Sequence, residues 1–288
     1  MSEKSTAFQH KFMSWMYRGK GIFNPLNTGW IDEHLACVRE WVANVFFYRK
    51  GDTVLMIDAG YHYERLEEKM GWIGLKPAQI SNVLLTHLDT DHIGAVEADG
   101  GGLFRDATVY LGEIENRYLT GERKRRVLYR LGSLPRVRIP NEKVLLRDGQ
   151  VFSIGDIQIE CFLVPGHTWG HMVYLLDGRY LLTGDAIWLG ADGGYSFLAS
   201  LAEDNRLAVR ALAEFEEKLR ARNLQPLVVT GHTGYSADLD FVFAHCDLCC
   251  KTSGKRFYNP AAPYDAYDES GDTAARGYAP VSRCGRFL

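Results

Sequence analysis

Two imidazoles and two carboxylates lie within six residues of this chain, as His87, Asp89, Asp91 and His92. The apolar run 80–85 precedes them and is long enough for one buried strand. The four side chains therefore occupy a loop at a strand end, where a rigid scaffold can present several groups to one point. Such groups would repel one another or lose solvation unless a cation lay among them. The segment predicts a site for one or two divalent ions, in preference to a polar loop without a ligand.

Three further metal-capable side chains also follow predicted strands. Each stands beside a glycine, which permits a tight turn at the strand end. An acid that follows a glycine at the end of an apolar strand is poorly explained by packing. The three residues are His167 after the strand 157–162, Asp185 after the strand 180–183, and His232 after the strand 226–230.

Length and composition describe an ordinary globular chain. Its 288 residues allow one large domain or two small ones, and 46% hydrophobic with 24% charged residues is typical of a soluble protein. A formal net charge of -3 argues against nucleic acid as the main partner. No apolar run approaches the roughly 18 residues that a membrane span needs, and the N-terminus lacks the apolar segment of a secretory signal.

The cysteines are spread unevenly and do not indicate a disulfide framework, which favours a cytoplasmic location. Three of them lie close to His245, and this cluster allows two hypotheses. One is a second metal site. The other, favoured because a helix would separate Cys249 from Cys250 by about 100°, is helix packing with free thiols. The six positions are Cys37, Cys161, Cys246, Cys249, Cys250 and Cys284.

Apolar and alternating runs separated by turn residues predict a chain rich in strands with a few helices. The segment 201–223 is the clearest amphipathic helix. We expect residues 1–250 to form one domain, and residues 251–288, which lack periodicity, to form a loosely ordered tail. Further predicted strands are 43–48, 53–58, 108–111, 144–146, 151–153 and 172–176, and further predicted helices are 63–70 and 238–250.

Several features allow both a structural and a functional interpretation. The basic stretch 117–138 is interpreted as a solvated helix face, and the alternative is a lid or rim that attracts an anionic substrate. Asp58, at a strand end, suits either a turn or cap position or a position behind the metal site. Trp188, Tyr195 and Phe197 are assigned to the core in preference to substrate contacts.

Five motifs in chain order resemble the metallo-β-lactamase fold superfamily. Each motif alone is a weak signal, whereas all five in this order and spacing form a strong one. Together they span roughly residues 42–235. The motifs are Ile57-Asp58-Ala59-Gly60, Thr86-His87-Leu88-Asp89-Thr90-Asp91-His92-Ile93-Gly94, Pro165-Gly166-His167-Thr168-Trp169-Gly170-His171, Leu182-Thr183-Gly184-Asp185 and Thr230-Gly231-His232.

The resemblance implies an α/β fold, a four-layer αββα sandwich with a dinuclear metal site at one edge of two facing sheets. Asp58 and His171 match positions that usually orient the ligands. Carried over position by position, the ligands fall into three sets: for the first ion His87, Asp89 and His167; for the second ion Asp91, His92 and His232; and bridging both ions, Asp185.

Asp89 departs from the usual pattern of the superfamily, which has histidine there. We expect two divalent ions, and Zn²⁺ is the first expectation because it also accepts carboxylate ligands. Because a carboxylate is a harder donor than imidazole, Asp89 makes Mn²⁺ or Fe²⁺ the alternatives. The Asp form resembles nuclease-like members, whereas the motifs around His167 and His232 resemble the lactonase and thioesterase branches. No flavodoxin-like domain follows, which argues against the diiron redox branch.

The resemblance implies a metal-dependent hydrolase. Two cations about 3.5–4 Å apart can share a bridging water and bring its pKa toward roughly 7, and the resulting hydroxide then attacks an electrophile. Asp91 is the implied catalytic residue, which orients this nucleophile and passes a proton. We expect a small-molecule substrate, with an anionic one fitting the basic stretch, cleaved at a carboxylic ester, lactone or thioester bond. A phosphodiesterase or nuclease of the same fold, or a non-catalytic metal-binding domain, stays open as the alternative.

Overall fold

Two large β-sheets with helices on their outer faces make up this computed structural model. The structure describes residues 25–40, 42–60, 65–97, 102–190 and 192–250. The strands are β1 Gly29–Trp30, β2 Leu35–Glu40, β3 Ala43–Lys50, β4 Thr53–Ile57, β5 Ile80–Leu84, β6 Thr108–Gly112, β7 Arg126–Val127, β8 Gly132–Ser133, β9 Lys143–Leu146, β10 Val151–Ile154, β11 Ile157–Leu163, β12 Met172–Leu176, β13 Tyr180–Leu182, β14 Ile187–Gly190, β15 Gly193–Leu198, β16 Leu227–Val229, β17 Tyr235–Ser236 and β18 His245–Cys250. The α-helices are α1 Leu66–Trp72, α2 Thr90–Ile93, α3 Asn116–Thr120, α4 Asn205–Ala221 and α5 Leu239–Phe243.

The first sheet has seven strands in the order β1-β2-β3-β4-β5-β6-β9. Strands β1 to β4 are antiparallel neighbours, whereas β4, β5, β6 and β9 run parallel. The carboxyl ends of β4 and β5 therefore lie at the same edge of the sheet. Asp58 follows β4 and His87 follows β5, so the topology brings these two residues together.

The second sheet has six strands in the order β10-β11-β12-β13-β16-β17. Strands β13 and β16 are parallel, and β11 runs in the same direction because β12 is antiparallel to both β11 and β13. Consequently His167 after β11, Asp185 after β13 and His232 after β16 all lie at one edge of this sheet.

Three apolar clusters separate the layers. The middle cluster joins the two sheets, with Phe46 and Ile57 of the first sheet packed with Ile159 and Tyr174 of the second. A second cluster includes residues of α1, α2 and α3 on the outer face of the first sheet. A third cluster includes residues of α4 and α5 on the outer face of the second sheet. The layers are helix, sheet, sheet and helix, which confirms the predicted αββα sandwich.

The predicted helix over 238–250 is wrong. Helix α5 ends at Phe243, and the chain then forms β18, which pairs in parallel with β15. The edge of β15 supplies backbone hydrogen-bond partners that a local pattern does not show, and such pairing overrides a weak helical tendency. The hypothesis of helix packing for the cysteine cluster fails with it, although the Cys246 side chain is buried.

The interpretation of the basic stretch 117–138 as a helix face is also wrong. Helix α3 ends at Thr120, and strands β7 and β8 follow as a hairpin that pairs with neither large sheet. Within this stretch the Arg125 side chain is buried. Nothing in the local sequence distinguishes Arg125 from its three basic neighbours, which are Arg123, Lys124 and Arg126.

The predicted long helix is observed, and a capping side chain explains where it begins. Helix α4 covers most of the predicted segment 201–223, and the Asp204 side chain caps it by accepting hydrogen bonds from the backbone N–H groups of Arg206 and Leu207. The predicted helix 63–70 is observed as α1, while residues 61–64 and the tail 251–288 lie outside the described residues. None of the described helices has the length and apolar character to cross a membrane.

Candidate metal centre

The centre lies where strand ends of both sheets meet. The first sheet contributes His87, Asp91 and His92, and the second contributes the other groups through three loops. A backbone hydrogen bond from Met172 N to the Thr86 carbonyl, 2.8 Å long, joins the two sheets beside these loops. The site therefore depends on the relative position of the sheets and on no single element.

One group of ligand atoms combines His87, His167 and Asp185, which are all buried and lie within 4.8 Å of one another. Asp185 Oδ2 lies 3.8 Å from His87 Nε2 and 3.5 Å from His167 Nε2. His87 Nε2 is buried and has no hydrogen-bond partner among the described residues. A buried imidazole nitrogen without a donor, beside a carboxylate, fits a divalent metal ion.

A second group combines Asp91, His92 and His232, again within 4.8 Å. Asp91 Oδ2 lies 3.3 Å from His232 Nε2. Asp185 Oδ1 lies 3.2 Å from both His92 Nε2 and His232 Nε2. One carboxylate thus faces both groups, with a different oxygen toward each, and this donor set also fits a divalent ion.

The electrostatics of Asp185 and His87 agree with this donor set. Burial would raise the pKa of Asp185, but the imidazoles of His232 and His92 hold it well below its usual range. Burial, reinforced by His92, lowers the pKa of His87. Asp185 is therefore an anion and His87 a neutral imidazole, as metal binding requires. Burial would lower the pKa of His92 and of His232, but Asp185 raises both, so an ion in the second group must displace protons from these imidazoles.

Asp58 holds His92 in position. Its carboxylate accepts hydrogen bonds from Thr86 N and Thr86 Oγ1, and its Oδ2 lies 2.8 Å from His92 Nδ1. Because Nδ1 of His92 is engaged by Asp58, Nε2 is turned toward the centre. His171 similarly contacts two of the predicted ligands: its Nε2 accepts from Asp185 N at 3.1 Å, and its ring stacks on His87 with centroids 5.0 Å apart.

Glu115 links two ligand loops and was not identified from the sequence. Its carboxylate accepts from Leu88 N at 3.0 Å, from Thr168 Oγ1 at 2.7 Å and from Gly170 N at 3.1 Å. Burial raises the pKa of Glu115 to about 8. The one available signal was its place in the chain, because Glu115 follows β6 as the ligands follow their strands.

Asp89 lies outside both groups, although it was predicted as a ligand of the first ion. Its two oxygens accept from Arg125 Nε at 2.6 Å and from Arg125 Nη2 at 2.7 Å. Burial would raise the pKa of Asp89, but the Arg125 guanidinium holds it well below its usual range. Asp89 Oδ2 is nevertheless 3.1 Å from His167 Nε2 and 3.8 Å from His87 Nε2, so it stays close to the first group.

A cavity of about 320 Å³ opens beside Asp89. Its apolar lining comes from side chains such as Leu88, Leu134 and Val137. The basic residues around it are Arg123, Lys124, Arg125 and Arg136. The cavity therefore combines an apolar wall with a positively charged one.

The aromatic residues assigned to the core are buried, as predicted, and two of them also pack against predicted ligands. Trp188, Tyr195 and Phe197 are each at most 2% exposed. The Phe197 ring lies 4.3 Å from the His167 ring, and the Trp188 ring lies 5.9 Å from the His232 ring, between centroids. This packing limits the rotation of both imidazoles.

Comparison with known proteins gives one family. The family described as "Metallo-beta-lactamase superfamily" matches residues 38–232. The chain is similar to the probable metallo-hydrolase YqgX of Bacillus subtilis, 28% identical over 194 residues, which are 66% of this chain and 84% of the relative. It is also similar to a hydroxyacylglutathione hydrolase of Gloeothece citriformis, 31% identical over 122 residues, but these cover only 40% of this chain and 39% of the relative. A solved B3 metallo-beta-lactamase with an active-site glutamic acid shares the fold, with a TM-score of 0.52 and 20% identity over 75% of this chain and 82% of that chain.

Proposed function

Because this chain belongs to the metallo-beta-lactamase superfamily, and is therefore a metal-dependent hydrolase, we propose that it uses two divalent ions to cleave a carboxylic ester, lactone or thioester. The observation that carries the proposal is Asp185. Its Oδ1 lies 3.2 Å from the imidazoles of the second group, and its Oδ2 faces the imidazoles of the first. A carboxylate placed in this way suits a bridging ligand.

The proposed ligands are the seven residues identified above. Zn²⁺ is the expected metal because imidazoles predominate, and Asp89 keeps Mn²⁺ and Fe²⁺ as alternatives. Bound ions of this kind polarise a substrate oxygen and lower the pKa of water. The first ion would be held by His87, His167 and Asp89, the second by Asp91, His92 and His232, and both by Asp185.

Asp91 is the proposed catalytic residue. Its side chain is 23% exposed, whereas His92 and His232 beside it are buried. Asp91 is therefore the member of the second group that reaches solvent and an entering substrate. Its carboxylate can accept a hydrogen bond from the attacking water, orient that water, and hold the proton released on attack.

The cavity beside Asp89 supports a substrate with a negative charge. Arg123, Lys124 and Arg136 supply positive charge, and burial raises the pKa of the Glu115 carboxyl that also lines the cavity to about 8. The relative from Gloeothece citriformis is named a hydroxyacylglutathione hydrolase, and a hydroxyacylglutathione is an anionic thioester. Both observations favour an anionic thioester among the proposed substrates.

Phosphodiester cleavage is the second candidate, and Asp89 is the observation that favours it. A carboxylate near the first group gives a harder donor set, which suits Mn²⁺ and phosphate chemistry. The basic wall of the cavity would attract a phosphodiester as well as a carboxylate. The two candidates therefore need a direct comparison of rates.

A rate table separates them. The purified chain would be loaded with Zn²⁺, Mn²⁺ or Fe²⁺ and tested on an anionic thioester, a lactone, a neutral ester and bis-nitrophenyl phosphate. We expect the thioester or lactone to be the fastest substrate, with the anionic thioester losing kcat/KM as salt is added and the neutral ester unaffected. Phosphodiester turnover about a hundredfold above every carbonyl substrate, with Mn²⁺ required, would replace the proposal by the second candidate.

A further inference from the structure

Arg125 lies against two of the proposed ligands of the first ion. We propose that the Arg125 guanidinium competes with a divalent ion for Asp89 and His167, so that the first ion binds more weakly than the second. The inference rests on the proposed two-ion centre, and it concerns how that centre is filled.

The contacts of Arg125 occupy the donor atoms that the first ion needs. Its Nε and Nη2 take both oxygens of Asp89, at 2.6 and 2.7 Å. The same Nη2 lies 3.1 Å from His167 Nε2. His167 Nε2 also lies 3.1 Å from Asp89 Oδ2, so it either accepts from Arg125 or donates to Asp89. In both cases the His167 lone pair is engaged or protonated, and a metal ion must displace that interaction.

The ligand atoms nevertheless have the spacing of a metal site. Distances of 3.1, 3.5 and 3.8 Å separate neighbouring pairs among Asp89 Oδ2, His87 Nε2, His167 Nε2 and Asp185 Oδ2. Ligands bound tetrahedrally at about 2.0–2.1 Å lie roughly 3.3 Å apart. The first group is therefore built to the right size, and the guanidinium is a competitor for the ion.

In the second group, neither Asp91 nor His92 has a described contact with an arginine or lysine side chain, and the Nε2 atoms of His92 and His232 lie 3.2 Å apart. There, Asp91 forms ion pairs with His92 and His232. Arg125, by contrast, brings a permanent positive charge into a buried site, where its repulsion of a dication is weakly screened. The two groups share Asp185, and the Arg125 guanidinium is a contact that only the first group is described with.

The hairpin that follows Arg125 belongs to neither large sheet. Strands β7 and β8 pair only with each other, so displacing them breaks no pairing of either large sheet. The hairpin tip also holds three consecutive left-handed residues, Leu128, Tyr129 and Arg130, with φ of 53°, 56° and 70°. Left-handed backbone is unfavourable for such residues, so the tip is held by its surroundings, including the hydrogen bond from Leu128 N to Ser200 O.

The test is a Zn²⁺ titration of the full chain after metal removal, with a competing chelator to resolve two stepwise affinities. For the wild type we expect the two affinities to differ by at least tenfold. Arg125→Met should tighten the weaker step at least tenfold and leave the stronger step within about twofold. Arg126→Met is the matched control. Arg126 is the next residue in the chain and carries the same charge on an exposed side chain, so its replacement should change neither step.

Two additional variants keep the test decisive. His232→Ala removes a ligand of the second group, so the ion that it still binds should show the weaker affinity. Arg125→Gln removes the charge but keeps a polar side chain that can donate to Asp89, and it should tighten the weaker step if Arg125→Met fails to fold. Two equally tight ions in the wild type, or a weaker step that neither Arg125 variant tightens, would overturn the inference and leave the proposed function standing. Failure of both the wild type and the Arg125 variants to bind two ions would instead contradict the proposed two-ion centre.

Discussion

Glu115 is a buried side chain that fixes two loops carrying proposed ligands. It joins the loop of His87 to the loop of His167 through hydrogen bonds to Leu88, Thr168 and Gly170. Burial raises its pKa to about 8, while the hydrogen bond from Thr168 opposes the shift. An acid with a raised pKa binds its proton in the folded state over a pH range in which the unfolded chain has lost it. The stability that this bound proton gives to the folded chain is therefore lost as the pH rises toward the folded pKa.

Glu115→Gln should remove part of the pH dependence of stability. Between about pH 5 and pH 8, the free energy of unfolding of the wild type should fall relative to the variant by up to about 1.4 kcal/mol per pH unit. The variant itself starts less stable, because a side-chain amide places a donor against one of the N–H or O–H groups. Urea unfolding of both proteins with saturating Zn²⁺, at several pH values in this range, measures the difference. Parallel curves would show that Glu115 is ionised throughout.

At the scale of elements, the proposed ligands are positioned by loops that pack tightly at strand ends. Gly166 has a φ of 140°, and a Cβ there would lie 2.3 Å from Ala208 Cα in helix α4. The same loop is tied to the start of α4 by hydrogen bonds from Glu203 N to the His167 carbonyl and from Asp204 N to the Gly166 carbonyl. The position of His167 thus follows from contact between its loop and the helix.

Gly166→Ala should push that loop away from α4. The overlap with backbone atoms and the left-handed φ together predict a loss of about 3 kcal/mol or more in the free energy of unfolding. The variant should also retain less metal, because His167 moves with the loop. Gly178→Ala is the control: its φ is 65° and its Cβ would meet no atom within 4 Å, so it should cost only about 1 kcal/mol and keep its metal. Equal losses in the two variants would show that close packing of Gly166 has no special role.

At the scale of the whole molecule, the centre spans the two sheets. His87 and His92 come from the first sheet, whereas His167, Asp185 and His232 come from the second. Each proposed ion would therefore bind residues of both sheets. Metal binding of this kind adds to the stability provided by the apolar cluster between the sheets.

Removal of metal should lower the melting temperature of the whole fold. When free metal is about a thousandfold above the dissociation constant, each bound ion adds about 4 kcal/mol to the free energy of unfolding. For a chain of this size, one such ion raises the melting temperature by roughly 10 °C. Calorimetry before and after chelator treatment measures the change, and added Zn²⁺ should reverse it. Asp185→Ala should melt close to the chelated wild type and respond weakly to Zn²⁺. An unchanged melting temperature after complete metal removal would show that the ions do not link the sheets.

Local sequence was sufficient for the strand ends and for the metal-capable side chains that follow them. The apolar runs before His87, Asp185 and His232 mark buried strands by composition and length, and a polar residue that ends such a run must lie at a sheet edge. The five ordered motifs then indicated the fold, which the layered structure confirms. These features could be predicted because each depends on residues that are neighbours in the chain.

The tertiary structure alone decided the roles of Arg125 and Glu115 and the conformation of residues 245–250. Arg125 meets Asp89 across 36 residues, and Glu115 meets Gly170 across 55. Strand β18 forms because the edge of β15 offers it backbone partners. These contacts join residues far apart in the chain, so none of them leaves a periodic pattern in the local sequence. Arg125, for example, turns inward only because a buried carboxylate from another loop compensates for the desolvation of its guanidinium.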